Sequence, residues 1–103
     1  ARKSARMMAT ARQMYDGGGA PCLVASLTLS PNLAPPAAAA SRALMREWME
    51  AIAAALDAPP AEARARAAAA VVAIEGALIV ARAAGDLRIF ERALKTAQAD
   101  LLA

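Results

Sequence analysis

Residues 67–85 read AAAAVVAIEGALIVARAAG, and this stretch decides the fold class. It is rich in Ala, the strongest helix former, and it contains no Pro. Gly85 follows as a helix stop, because Gly readily takes the left-handed conformation. A helix that is apolar nearly all round is buried on both sides. We therefore predict a central helix over residues 61–84 within an all-α bundle.

The two faces of this predicted helix differ in bulk. At about 100° per residue, one carboxylate, Glu75, falls among large aliphatic side chains, and the opposite face is mostly Ala. Such a smooth face allows another helix to approach closely. The bulky face comprises Val71, Val72, Glu75, Leu78, Ile79 and Arg82, and the smooth face comprises Ala69, Ala70, Ala73, Ala77, Val80 and Ala84.

Pro and Gly residues outline four further helices. The first covers residues 2–15 and ends at three consecutive glycines. A short buried helix is predicted over residues 21–29, and a longer one over residues 37–57. The last follows Asp86, a candidate N-cap. The prediction is an all-α bundle of about five helices, forming one domain over residues 1–103. The apolar positions of the last helix alternate by three and four, as in a bundle seam: Leu87, Phe90, Leu94, Ala97 and Leu101.

The composition argues against several classes of protein. The chain has no His, so the commonest general base and metal ligand is missing, and we predict no enzyme, metal or cofactor site. Its single Cys fits a reducing cytoplasm. A net charge of +3 is too mild for a nucleic-acid surface. The longest apolar stretch, residues 67–74, is short and is followed by Glu75, so we expect no membrane span.

Glu75 is the residue that stands out, because a buried carboxylate is unfavourable unless it is paired or hydrogen-bonded. One interpretation is a structural ion pair with Arg82. The other is a polar anchor in a ligand pocket between the third and fourth predicted helices, which would accept a hydrophobic or cationic amphiphile. The predicted pocket residues are Met14, Leu27, Trp48, Met49, Ile52, Val72, Glu75 and Ile79.

Four segments resemble one branch of the TetR-type transcriptional regulators. They are GGAPCLVASL (residues 18–27), REWM (46–49), AIEGALIVARA (73–83) and FERAL (90–94). The resemblance implies a C-terminal domain that binds a small effector and forms a homodimer through its last two helices. It also implies an N-terminal helix-turn-helix domain, absent from this chain, through which alone operator DNA would be bound.

The predicted function is therefore effector sensing for transcriptional repression, by a shift between two conformations of the domain. Two alternatives remain open: a helical dimerisation module without a ligand, and a small helical-bundle enzyme acting on an anionic substrate. The predicted dimer interface combines the smooth face of the fourth helix with the seam of the fifth. It comprises Ala73, Ala77, Leu87, Phe90, Leu94 and Leu101.

Overall fold

The computed structural model describes residues 2–20, 22, 26 and 30–102, which form four α-helices and a short 3₁₀ turn. No strand occurs within these ranges, so the predicted all-α class is confirmed. The described helices are one fewer than predicted, because the helix expected over residues 21–29 lies mostly outside the described residues. The elements are α1 (Arg2–Met14), the turn (Asp16–Gly18), α2 (Pro35–Ala54), α3 (Pro60–Ala84) and α4 (Arg88–Leu102).

The helix boundaries follow the Pro and Gly residues. Pro60 lies in the first turn of α3, where the missing N–H of proline has no consequence. Gly85 ends α3 in the left-handed conformation, at φ 66°. The N–H of Asp86 then bonds the carbonyl of Ala81 at 3.0 Å, and Asp86 Oδ1 accepts the N–H of Arg88 at 3.1 Å. This tight connection folds α4 back against α3.

The hydrophobic core surrounds α3. This helix packs against α4 on one side and α2 on the other, and α1 packs against α4. Small residues let the helices approach closely, since Ala67 and Ala81 have no exposed surface. The largest fully buried side chains are Ile52, Ile74, Leu78, Phe90 and Leu94.

The buried face of α3 matches only part of the predicted bulky face, of which Val71 and Leu78 are buried. Val72 is 71% exposed and Ile79 is 50% exposed, whereas Ala70 and Ala81 are buried. The sequence predicted burial of this helix on both sides. Its buried side combines small and large residues, whereas Val72, Ile79 and part of the Ala face are exposed. The buried residues are Ala63, Ala67, Ala70, Val71, Ile74, Leu78 and Ala81.

Helix α3 is long and apolar enough to cross a membrane, judged by length and composition alone. It runs for 25 residues and continues through Glu75, as predicted for the helix over residues 61–84. The helix also packs on α2 and α4. The core helix of a soluble protein passes the same test, so this property is weak evidence for a membrane span.

Candidate functional site

Three polar side chains from distant parts of the chain meet beside the core. Tyr15, just after α1, is 4% exposed, and its hydroxyl donates to Glu75 Oε1 of α3 at 3.0 Å. The Tyr15 oxygen also lies 3.7 Å from the sulfur of buried Cys22. The other oxygen of Glu75, Oε2, is buried and has no hydrogen-bond partner among the described residues. We refer to Tyr15, Cys22 and Glu75 as the polar cluster.

The turn after α1 holds Tyr15 in this position. The carbonyl of Tyr15 accepts the N–H groups of Gly18 at 2.8 Å and Ala20 at 2.9 Å. Gly18 has φ 101°, and a Cβ atom there would lie 3.1 Å from the ring of Phe90. Gly18 therefore lets the turn rest on Phe90. The Tyr15 ring packs edge-on against the same residue, with centroids 5.9 Å apart.

The electrostatics of the cluster keep Tyr15 a hydrogen-bond donor. Burial raises the pKa of the Tyr15 hydroxyl, and the neighbouring Cys22 and Glu75 raise it further. The hydroxyl therefore stays protonated throughout the physiological pH range. The arrangement provides one neutral donor facing one carboxylate, with a thiol beside them.

The structural ion pair predicted between Glu75 and Arg82 is not formed. The guanidinium of Arg82 donates instead to the backbone carbonyl of Gly19. Glu75 accepts a hydrogen bond from the Tyr15 hydroxyl, which is neutral and therefore does not compensate the negative charge of a carboxylate. Arg82 was considered because it lies two turns from Glu75 on the same helix, but its acceptor in the structure lies in the turn after α1.

A second polar contact joins α1 to α4. Arg12 Nε lies 3.0 and 2.9 Å from the two oxygens of Glu91, and Arg12 Nη2 lies 2.6 Å from Oε1. The hydrogen bond from Arg12 lowers the pKa of the Glu91 carboxyl. Both side chains remain more than one-third exposed. Because the partners are 79 residues apart, helix periodicity gives no sign of this pair.

The structure does not bring the predicted pocket residues together as one enclosed site. Ile52 is fully buried in the core, and Trp48 and Met49 are half-buried against it. Met14 is 63% exposed, and Val72 and Ile79 also face solvent. Leu27 lies outside the described residues. Glu75 alone sits in the polar cluster, beside two residues that the prediction missed. Tyr15 and Cys22 are the chain's only Tyr and only Cys, which is the one signal that the sequence offered for them.

Some of the residues predicted for the dimer interface are buried inside the chain, and others lie on its surface. Phe90 and Leu94 are fully buried inside the single chain, so these two seam side chains cannot also form a surface for a second copy. Leu101 is buried as well but lies at the edge of a groove between α3 and α4. The alternation marks the face of α4 that packs on α3. Leu87 is exposed and Ala77 is half-buried.

Ala73 lies on the same open groove between α3 and α4, with a volume of about 380 Å³. Arg66 and Asp100 stand at one end, where the Arg66 guanidinium donates to the Asp100 carbonyl. Further along α3, Val80 is 52% exposed and Gly76 is exposed. The groove is lined by Arg66, Ala69, Ala70, Ala73, Ala93, Thr96, Ala97, Asp100 and Leu101. We refer to this groove together with Gly76 and Val80 as the groove surface.

Comparison with known proteins returns one family. The family model described as the C-terminal domain of LmrA/YxaF-like transcriptional regulators matches residues 2–96, which is most of the chain. No curated protein and no solved structure matches the chain. The match includes every residue of the polar cluster and all of α3.

Proposed function

Because the chain belongs to the C-terminal domain family of the LmrA/YxaF-like, TetR-type transcriptional regulators, we propose that it is the effector-sensing and dimerising part of a cytoplasmic repressor. Operator DNA would be bound through a separate N-terminal domain. An effector that prefers one conformation of the helical domain would shift the population of the dimer toward it. We propose regulation and no catalysis, in keeping with the family.

The groove surface is the observation that carries this proposal. It is mostly apolar, with Arg66 and Asp100 at one end, and it lies on the two helices nearest the C-terminus of the described chain. Side chains such as Val80 are exposed in the single chain. Burying such a surface is favourable by about 25 cal/mol per Å² of apolar area. A second copy placed on the groove would give a bundle of four helices, two from each chain.

Gly76 supports the same assembly. A Gly inside a helix is about 1 kcal/mol less favourable than Ala. Within the single chain nothing requires it, because a Cβ atom at Gly76 would meet open space. A helix of a second copy that crosses α3 closely at this point would account for the missing side chain.

Analytical ultracentrifugation of two charged variants tests the proposal. Val80→Glu puts a charge into the proposed interface and should give a folded monomer at micromolar concentration, because an unpaired buried charge is strongly unfavourable. Leu44→Glu is the matched control, since Leu44 is similarly exposed on α2, away from the groove surface. It should remain dimeric. A wild-type chain that sediments as a monomer at micromolar concentration would refute the proposed dimer.

The ligand-free dimerisation module remains the second candidate, and one observation favours it. Helices α2 and α3 pack together where a pocket was predicted, and Ile52 of α2 and Ile74 of α3 are fully buried. This candidate shares the dimer with the first and differs only in lacking an effector. Ligand binding at the polar cluster separates the two.

A further inference from the structure

The carboxylate of Glu75 is incompletely satisfied. Oε1 accepts the Tyr15 hydroxyl at 3.0 Å, but Oε2 is buried and has no partner in the described part of the chain. An unpaired buried acceptor is unfavourable, and a charged one especially so. Buried polar groups in folded proteins nearly always have a partner, so an orphaned oxygen requires an explanation.

The arginines that lie near Glu75 and Tyr15 along the chain are engaged elsewhere. Arg82, two turns further along α3, donates to the carbonyl of Gly19. Arg12, one turn before Tyr15 on α1, is held by Glu91. The partner that Tyr15 provides is neutral. Within the described residues, therefore, the Glu75 carboxylate forms no ion pair.

One flank of Glu75 on α3 is apolar and open, whereas Val71 and Leu78 on its other flank are buried. Val72 precedes Glu75 by three residues and Ile79 follows it by four, so both lie on its side of the helix. They are 71% and 50% exposed. A molecule that reached Glu75 along this helix would place its apolar part against these two side chains.

We propose that Glu75 binds the protonated amine of an apolar effector. An ammonium N–H would donate to Oε2, while the Tyr15 hydroxyl holds Oε1 and so fixes the orientation of the carboxylate. The protonated amine supplies both a hydrogen-bond donor and a positive charge, whereas a neutral hydroxyl supplies only the donor. This inference rests on the proposed sensing function and specifies the class of effector.

Isothermal titration calorimetry at pH 7 with three compounds of one shape tests the inference. The compounds are 2-naphthylmethylamine, which is protonated, 2-naphthylmethanol, a neutral donor, and 2-methylnaphthalene, which has no donor. The wild-type chain should bind the amine about tenfold or more tightly than the alcohol, because a charge-assisted hydrogen bond is roughly twice as strong as a neutral one. The hydrocarbon should bind most weakly.

Two variants locate the effect. Glu75→Gln should bring the amine and the alcohol to similar affinity, because the charge is removed and the shape is kept. Glu47→Gln makes the same change of charge at an exposed position of α2 and should keep the wild-type preference. Circular dichroism checks that both variants are folded, and the comparison of the three compounds on the wild-type chain requires no variant.

Several results would overturn the inference. Equal affinities for the three compounds would show that apolar contact alone drives binding. Tighter binding of the alcohol would assign a neutral partner to Oε2, and failure of the amine to bind would exclude this ligand class. In each case the oligomeric state from ultracentrifugation reports separately on the proposed dimer.

Discussion

Tyr15 makes the one hydrogen bond that the described residues supply to the Glu75 carboxylate. Tyr15→Phe removes the hydroxyl and keeps the ring against Phe90. The carboxylate would then be left without a donor, so we expect the free energy of unfolding to fall by about 1–3 kcal/mol. Urea unfolding followed by circular dichroism measures the loss.

The control for this substitution is the same change in a Glu75→Gln background. If the hydroxyl acts through the carboxylate, Tyr15→Phe should be less destabilising there, and the difference is the coupling energy between the two groups. Equal losses in both backgrounds would show that the hydroxyl acts through Cys22 or through packing.

At the same scale, the sequence identified the unusual residue but not its partner. Glu75 stood out because its neighbours along α3 are apolar, which is local information. Tyr15 lies 60 residues away, and only the folded turn after α1 brings it to Glu75. The prediction considered Arg82, the cation within helical reach, and could not include the Gly19 carbonyl that binds it.

At the scale of single helices, boundaries were easier to predict than faces. Pro60 and Gly85 determine the ends of α3 through backbone conformation, which is encoded locally. The buried side of an almost entirely apolar helix depends on which neighbours pack against it. Val71 is buried and Val72 is exposed, although the two are identical neighbours, because α2 and α4 pack on only part of the helix surface.

Gly76 gives a prediction that belongs to α3 as an element. In a Val80→Glu monomer, Gly76→Ala should raise the free energy of unfolding by about 0.5–1 kcal/mol, because Ala favours the helix and its Cβ meets open space. In the dimer that we propose for the wild-type chain, the same methyl group should weaken association. Urea unfolding and sedimentation equilibrium measure the two effects. A dimer dissociation constant that did not change would place the helix contact elsewhere than at Gly76.

At the scale of the whole molecule, the sequence was sufficient to identify the family. It was not sufficient to identify which surface could contact a second copy. The segment around Glu75 and Gly76 suggested the TetR-type regulators, and the family match over residues 2–96 confirms that resemblance. The seam of α4 was correctly identified as a packing face. It was assigned to a second copy, although Phe90 and Leu94 are used inside the chain. An alternation of apolar residues does not distinguish a contact within a chain from a contact between chains.

The Arg12–Glu91 pair ties the first helix to the last and so contributes to the stability of the whole fold. Glu91→Gln should lower the free energy of unfolding at pH 7 by about 0.2–1 kcal/mol, a small loss because solvent screens a pair this exposed. Glu47→Gln, at an exposed position, is the control and should have little effect. Urea unfolding at several pH values provides the measurement.

The pH dependence gives the sharper test of this pair. The pKa of Glu91 is lowered in the folded chain, first by the hydrogen bond from Arg12. As the pH falls, Glu91 is therefore protonated at a higher pH in the unfolded chain than in the folded one. The stabilisation of the fold by the Arg12–Glu91 pair is complete above the unfolded pKa of about 4.3. It is lost as the pH falls through the lower, folded value. The stability difference between wild type and Glu91→Gln should accordingly shrink from pH 7 to pH 3. A difference of the same size at both pH values would mean that Glu91 stabilises the fold by packing, and that α1 is held to α4 without the ion pair.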